Sequence, residues 1–346
     1  MKGTKGNMQV GLGFHCVGCP YSGDRCKGPV DLTQYFLVSS AFVGCADPMR
    51  MQAFKDVSGK YVPPNCGNQN RLNLRTRFIP QFFSRRRNEI IPVGDRIVFV
   101  ALDRVIYESG TVRYHLKDDL LKVLGLPTGT RIGLVGTCRD HVLEQFWTKA
   151  DREDSWTKLV SLGFEFVTSL TCSVYDGWPL FSQKFNQDRN FLSHDIFSSF
   201  GIPTVPFVMP NSNLDIDYVV KWIRKRPGIT HVAVHASGFT RRPSEFDNLV
   251  TWVRRIELEL DRPLRFLMVG VARPDQMKKL LIEFDAIILN PRPVMEALRT
   301  GNQYDSNLVS CEAIDNSRDS LILPNIIAFE NYCNSYGGNE DFGISP

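Results

Sequence analysis

From residue 96 onward, short apolar runs alternate with turn-forming and polar stretches. The runs are RIVFVAL (96–102), RIGLVG (131–136), FEFVTSL (164–170), TVPFVM (204–209), HVAVHA (231–236), RFLMVG (265–270) and AIIL (286–289). Their starts fall 35, 33, 40, 27, 34 and 21 residues apart. That is the spacing of repeated strand–helix units. The runs are apolar throughout rather than alternating, which marks strands buried on both faces, as in a parallel sheet.

The stretches between the runs have helical periods. In 217–226, Tyr218, Val219, Trp222 and Ile223 form one stripe. In 244–260, Phe246, Leu249, Val250, Val253 and Ile256 form another, with Pro243 and Ser244 as a start signal. Pro274 and Asp275 suit the first turn of a third helix, and Gly301 ends a fourth. An eighth strand is expected from SLILPNIIAF (320–329) or YFLVSSAFV (35–43). Seven or eight consecutive units predict an α/β protein, specifically a TIM-like (β/α)8 barrel rather than an open doubly wound sheet. The expected organisation is an irregular Cys-rich cap over 1–70, a barrel over 71–330 and a mobile tail over 331–346.

Composition adds little until its distribution is considered. The 346 residues are 43% hydrophobic and 23% charged, which excludes disorder, collagen and coiled coil as global descriptions. The net charge of +4 is mild. Residues 71–87 (RLNLRTRFIPQFFSRRR), however, hold six arginines and no acid. Arg75, Arg77, Arg85, Arg86 and Arg87 alternate with Phe78, Phe82 and Phe83, a pattern that suits phosphate contacts and base stacking in a nucleic acid. The blander reading is an arm whose phenylalanines pack under the barrel. No apolar run reaches membrane-spanning length and the start lacks a secretory apolar core, so a cytoplasmic protein without membrane contact is expected.

Five of the nine cysteines lie within the first 66 residues. An odd total in a long chain fits a disulfide framework poorly. The segment CVGCPYSGDRC (16–26) can turn two thiolates toward one ion. Cys16, Cys19, Cys26 and Cys45 are therefore candidate metal ligands, with Cys66 or His15 as alternatives. Zinc is slightly preferred to an iron–sulfur cluster. A full thiolate shell leaves no open position, so the site reads as structural.

A parallel barrel places its chemistry at the C-terminal ends of its strands. Residues following the apolar runs are thus the candidates. Asp103, Asp140, Asp176 and His235 are candidate acids, bases or nucleophiles. Tyr175, Trp178, Asn186, Arg189 and Arg241 are candidate substrate contacts, with Asn186 and Arg189 on one helix face. Any single Asp or Arg here can equally be a solvated loop residue. His235 stands apart, because it interrupts an apolar strand at its end. There is no P-loop, no G-x-S-x-G and no H-E-x-x-H.

Two resemblances follow from these motifs. The segment SVYDGWPLFSQKFNQDRNFL (173–192), with FGIPTVPFVMP and HVAVHASGF, resembles an uncharacterised family of phage and plasmid proteins over about 130–240. That family brings no established activity. The segment 266–301, through Met268, Gly270, Pro274, Pro291 and Gly301, is similar to the late barrel segment of tRNA-guanine transglycosylases and their DNA-modifying relatives. Those are zinc-containing TIM barrels that exchange guanine for a 7-deazaguanine base. Their nucleophilic Asp corresponds to about Ile287 here, with Asp285 offset by two, and their zinc cysteines lie late rather than early. The resemblance implies an enzyme acting on a nucleobase or nucleic acid. The alternative is a non-catalytic, metal-stapled nucleic-acid-binding protein of a mobile element.

Overall fold

The computed structural model describes residues 72–83, 90–150, 153–174, 180–209, 213–313 and 317–336. The expected cap over 1–70 lies outside them.

Every one of the seven apolar runs is extended. They form β2 (Ile97–Ala101), β3 (Arg131–Gly136), β4 (Phe166–Leu170), β5 (Thr204–Val205), β6 (Phe207–Val208), β7 (His231–His235), β8 (Arg265–Val269) and β9 (Ala286–Asn290). The run TVPFVM is split into β5 and β6 by Pro206, which has no N–H to give to a ladder. The remaining parallel strand, β1 (Phe78–Pro80), comes from the arginine-rich arm. The protein is thus an α/β protein built on parallel sheets. One has the order β1-β9-β8-β7-β6 and the other β2-β3-β4-β5. A parallel bridge joins Gln81 to Phe99, and the Phe82 N–H donates to the Phe99 carbonyl at 2.9 Å.

The helices are α1 (Lys117–Leu124), α2 (Asp140–Lys149), α3 (Ser155–Val160), α4 (Leu180–Ser199), α5 (Asn213–Arg224), α6 (Pro243–Leu260), α7 (Pro274–Glu283), α8 (Arg292–Arg299) and α9 (Ile322–Asn334). One expectation is corrected here. The stretch SLILPNIIAF supplies no strand: it enters α9. Its buried residues Ile322, Ile326, Phe329 and Cys333 recur at steps of three and four, the period of a helix rather than of a strand. The other suggested strand, YFLVSSAFV, lies outside the described residues. A short antiparallel pair, β10 (Asn302–Tyr304) and β11 (Ser310–Glu312), precedes α9.

The apolar residues sort into three clusters. One lies between β2–β4 and the helices α1–α4, and includes Val98, Leu134, Val167 and Phe197. A second lies between β6–β9 and α5–α7 with α9, and includes Val208, Val234, Phe266 and Phe329. The third takes the opposite face of the strands. It holds Ile79, Phe99, Val135, Phe166, Val205, Phe207, Ala233, Leu267 and Ile287, so each of β1–β9 contributes a residue. Alternation of side chains along each strand produces this division. The arm's phenylalanines follow the blander expectation: Phe78 and Phe82 are fully buried. Among the described residues no helix is long and apolar enough to cross a membrane.

Candidate functional site

The strand exits of β2, β3 and β4 bring several of the candidate groups together. Asp103 sits in the single helical turn that ends β2, half-buried, with its neighbour Arg104 at 3.6 Å. Cys138 follows β3. Burial pushes its thiol up to about 12, and the nearby charges of Asp103 and Asp140 act in the same direction. It is therefore an un-ionised, unreactive thiol at neutral pH. Asp140 opens α2, where a carboxylate is favoured by the helix dipole. The Ser173 hydroxyl donates to its Oδ1 at 2.7 Å.

Ser173 is itself fixed from behind. The Asn186 amide donates to the Ser173 carbonyl at 2.6 Å, and Asn190 both accepts from the Cys172 N–H (2.7 Å) and donates to the Cys172 carbonyl (3.2 Å). The Ser193 hydroxyl accepts from the Leu170 N–H at 2.9 Å. Side chains of α4 thus supply hydrogen bonds along 170–173, where β4 leaves the sheet. Arg189 anchors this face through a two-pronged contact with Glu144 of α2 and a 2.7 Å bond to Asn186 Oδ1. Leu170 and Cys172 pack into the first cluster, between β2–β4 and the helices. The buried Thr171 hydroxyl has no hydrogen-bond partner among the described residues.

His235 ends β7 two residues after Ala233 of the third cluster, and shares its face. Its Nε2 lies 3.2 Å from the Ser237 hydroxyl, and its ring meets Phe207 edge to face at 6.3 Å. Burial lowers its pKa, so it is a neutral imidazole at neutral pH, able to accept a proton. Arg241 lies exposed in the segment before α6.

Other candidates are placed elsewhere. Asn186 and Arg189 are fully buried and occupied with protein groups, so they support the strand exit from behind. Arg75 and Arg77 precede β1, at the end of the strands opposite His235. Asp285 precedes β9 at that same end and takes Arg265 at 3.1 Å. Ile287 is a fully buried member of the third cluster. Tyr175, Asp176, Trp178, Arg85, Arg86, Arg87, Cys16, Cys19, Cys26 and Cys45 lie outside the described residues. Among the described residues no group of three His, Cys, Asp or Glu is arranged to hold a metal.

Sequence reasoning did not single out the bond from Ser173 to Asp140, nor a buried ion pair of Lys184 with Asp215 at 3.5 Å. Lys184 also lies 4.0 Å from the Tyr218 ring centre, and burial lowers its pKa against the pull of Asp215. The signal was present in the stretch KFNQDRNFLSHD (184–195), which is polar without a clean apolar stripe yet is followed and preceded by core elements. A helix polar on its sheet-facing side must satisfy those groups internally.

No family model matches the chain, and no curated protein matches it.

Proposed function

We propose that the chain is a (β/α)8-barrel enzyme that acts on a nucleobase or nucleotide, in the manner of base-exchanging transglycosylases. Closure of the two sheets into one barrel is supported by three features. The Gln81–Phe99 bridge links the outer strands β1 and β2. Only Pro206 separates β5 from β6. The third apolar cluster draws on every one of β1–β9, as the interior of a barrel does.

The observation that carries the functional reading is the carboxylate at the β3 exit. Asp140 is oriented by Ser173 and shares the surroundings of Cys138 with Asp103. Two carboxylates at neighbouring strand exits supply the nucleophile and the proton donor that displacement at a sugar carbon requires. The neutral His235 is suited to moving the proton on the departing or entering base. Asp176, Tyr175 and Trp178, on the segment between β4 and α4, are the proposed further carboxylate and stacking groups. A structural zinc or iron–sulfur centre on Cys16, Cys19, Cys26 and Cys45 belongs to the same proposal.

The test is incorporation of radiolabelled guanine and 7-deazaguanine bases into tRNA and DNA by the purified protein, beside the variants D103N, D140N and D176N. Incorporation that falls at least a hundredfold in one of the three supports the reading. Incorporation that survives all of them, or none with the unaltered protein, removes it. The second reading, a non-catalytic nucleic-acid-binding protein, is favoured by one observation: the exposed Arg75 makes no ion pair among the described residues. It requires salt-dependent binding of nucleic acid without turnover.

A further inference from the structure

The turn that follows β7 holds His235 from its polar side. On the neighbouring strands the imidazole has apolar company: the Phe207 ring of β6 meets it at 6.3 Å, and Val269 is its paired residue on β8. Among the described residues no charged or titratable group bears on the ring, and burial is what lowers its pKa. Ser237 is its one hydrogen-bond partner among them. The Ser237 Oγ lies 3.2 Å from Nε2 and 3.5 Å from Nδ1, the second being the outer limit of such a bond.

The turn is built to keep Ser237 in place. The Ala236 N–H donates to the Val269 carbonyl and the Phe239 N–H to the Ala236 carbonyl, both at 2.9 Å. The Thr240 hydroxyl donates to the Ser237 carbonyl at 3.1 Å, and Gln276 of α7 donates to the Thr240 carbonyl at 3.1 Å. Gly270, directly after β8, has a left-handed φ of +87°, and a Cβ there would lie 2.8 Å from the Ser237 Cβ. The missing side chain is what lets the serine approach so closely.

We propose that Ser237 is a positioning residue for His235, its oxygen accepting from Nε2–H so that Nδ1 is the bare nitrogen that takes the reacting proton. This rests on His235 as the proton-moving group of the reaction proposed above. The bond made by one ring nitrogen sets which of the two carries the proton. When Nδ1 takes a proton the ring becomes cationic, and the Nε2–H bond to Oγ strengthens because its donor is charged. That bond offsets part of the cost of burying the cation, which no carboxylate among the described residues relieves. When Nδ1 returns the proton to the departing or entering base, the ring regains the same tautomer.

The experiment is nitrogen-edited NMR of the full chain titrated with acid, with H235Q to assign the ring signals, beside S237A and S237T. Turnover in base incorporation is measured on the same proteins. The unaltered protein is expected to show a neutral ring with Nε2 protonated and Nδ1 bare. S237A is expected to show a mixture of tautomers, titration at lower pH, and kcat about tenfold lower with KM little changed. S237T, which keeps the hydroxyl, restores the single tautomer. A ring protonated at Nδ1 in the unaltered protein, or a tautomer and titration unchanged in S237A, overturns the proposal even if bases are incorporated. A tautomer that depends on Ser237 in a protein that incorporates no base removes the reaction and upholds the assignment of Ser237 to His235.

Discussion

Arg189 of α4 and Glu144 of α2 face each other through two parallel hydrogen bonds, at 3.0 and 2.8 Å, with the arginine side chain 1% exposed. The pair ties two neighbouring helices together behind the exit of β4. Charges so placed are held mainly by each other, so removing one strands its partner. Replacing Arg189 with Met, leaving Glu144, is expected to destabilise the fold by about 3–5 kcal/mol. The double variant R189M/E144M restores much of that loss. Urea denaturation of the three proteins measures the cycle, and additive losses would show that the two side chains act separately.

Gly136 ends β3 where its pairing with β4 shifts register. A Cβ there would lie 2.2 Å from the Ser169 carbonyl oxygen, a backbone atom that cannot rotate away. Gly136→Ala is expected to cost about 1–3 kcal/mol by forced separation of the strands. A stability equal to the unaltered protein's in chemical denaturation would contradict this close approach.

Histidines make the fold sensitive to mild acid. His231, at the start of β7, is held down to about 4 by burial and by the Arg265 charge. His235 and His194 are lowered as well, chiefly by burial. Their folded pKa values lie below the unfolded value near 6.5, so between pH 6.5 and 4 the unfolded chain binds more protons. Stability therefore falls as pH falls through that window and is full above it. For His231 alone the loss approaches roughly 3 kcal/mol across the window. Melting temperatures from pH 7 to 5 are expected to drop, and less steeply in His231→Gln. A flat profile would show that these imidazoles are open to solvent.

Ser173 sets the aim of Asp140, and its removal tests the proposed reaction more finely than removal of the carboxylate. Ser173→Ala is expected to lower kcat for base incorporation by about tenfold with KM little changed. Ser173→Thr, which keeps a hydroxyl, is expected to recover most of it. Loss of substrate affinity instead of turnover would assign Ser173 to binding.

The hydrogen bond from the Phe82 N–H to the Phe99 carbonyl reports on closure between β1 and β2. If the two sheets form one ring, the Phe82 amide exchanges with solvent water as slowly as amides within β2 and β3. Fast exchange at Phe82 beside slow exchange at Phe99 would leave an open edge there.

Much of the fold was legible in the run spacing. A strand buried on both faces needs an unbroken apolar run, and RIVFVAL, HVAVHA and AIIL satisfy that wherever they sit. The helices α6 and α7 were equally legible, because a half-buried helix writes its period into the sequence. The failures have physical causes too. Phe78–Pro80 is too short to show a period, and only its pairing with β9 makes it a strand. SLILPNIIAF has the apolar content of a strand but buries one helical stripe against the sheet. His235 and Asp140 were readable as polar groups at the ends of apolar runs.

The sequence by itself determined the alternation of strands and helices, the ends at which polar groups collect, and the excess of arginine in one arm, since each depends on neighbours along the chain. Only the tertiary structure decided what those groups do. It turned Asn186 and Arg189 inward to support a strand exit, and brought Ser173 to Asp140 across 33 residues. It also set Arg75 and Arg77 at the end of the strands away from His235. Long-range contacts fix these outcomes, because whether a charge is paired, buried or free depends on what the fold carries to it.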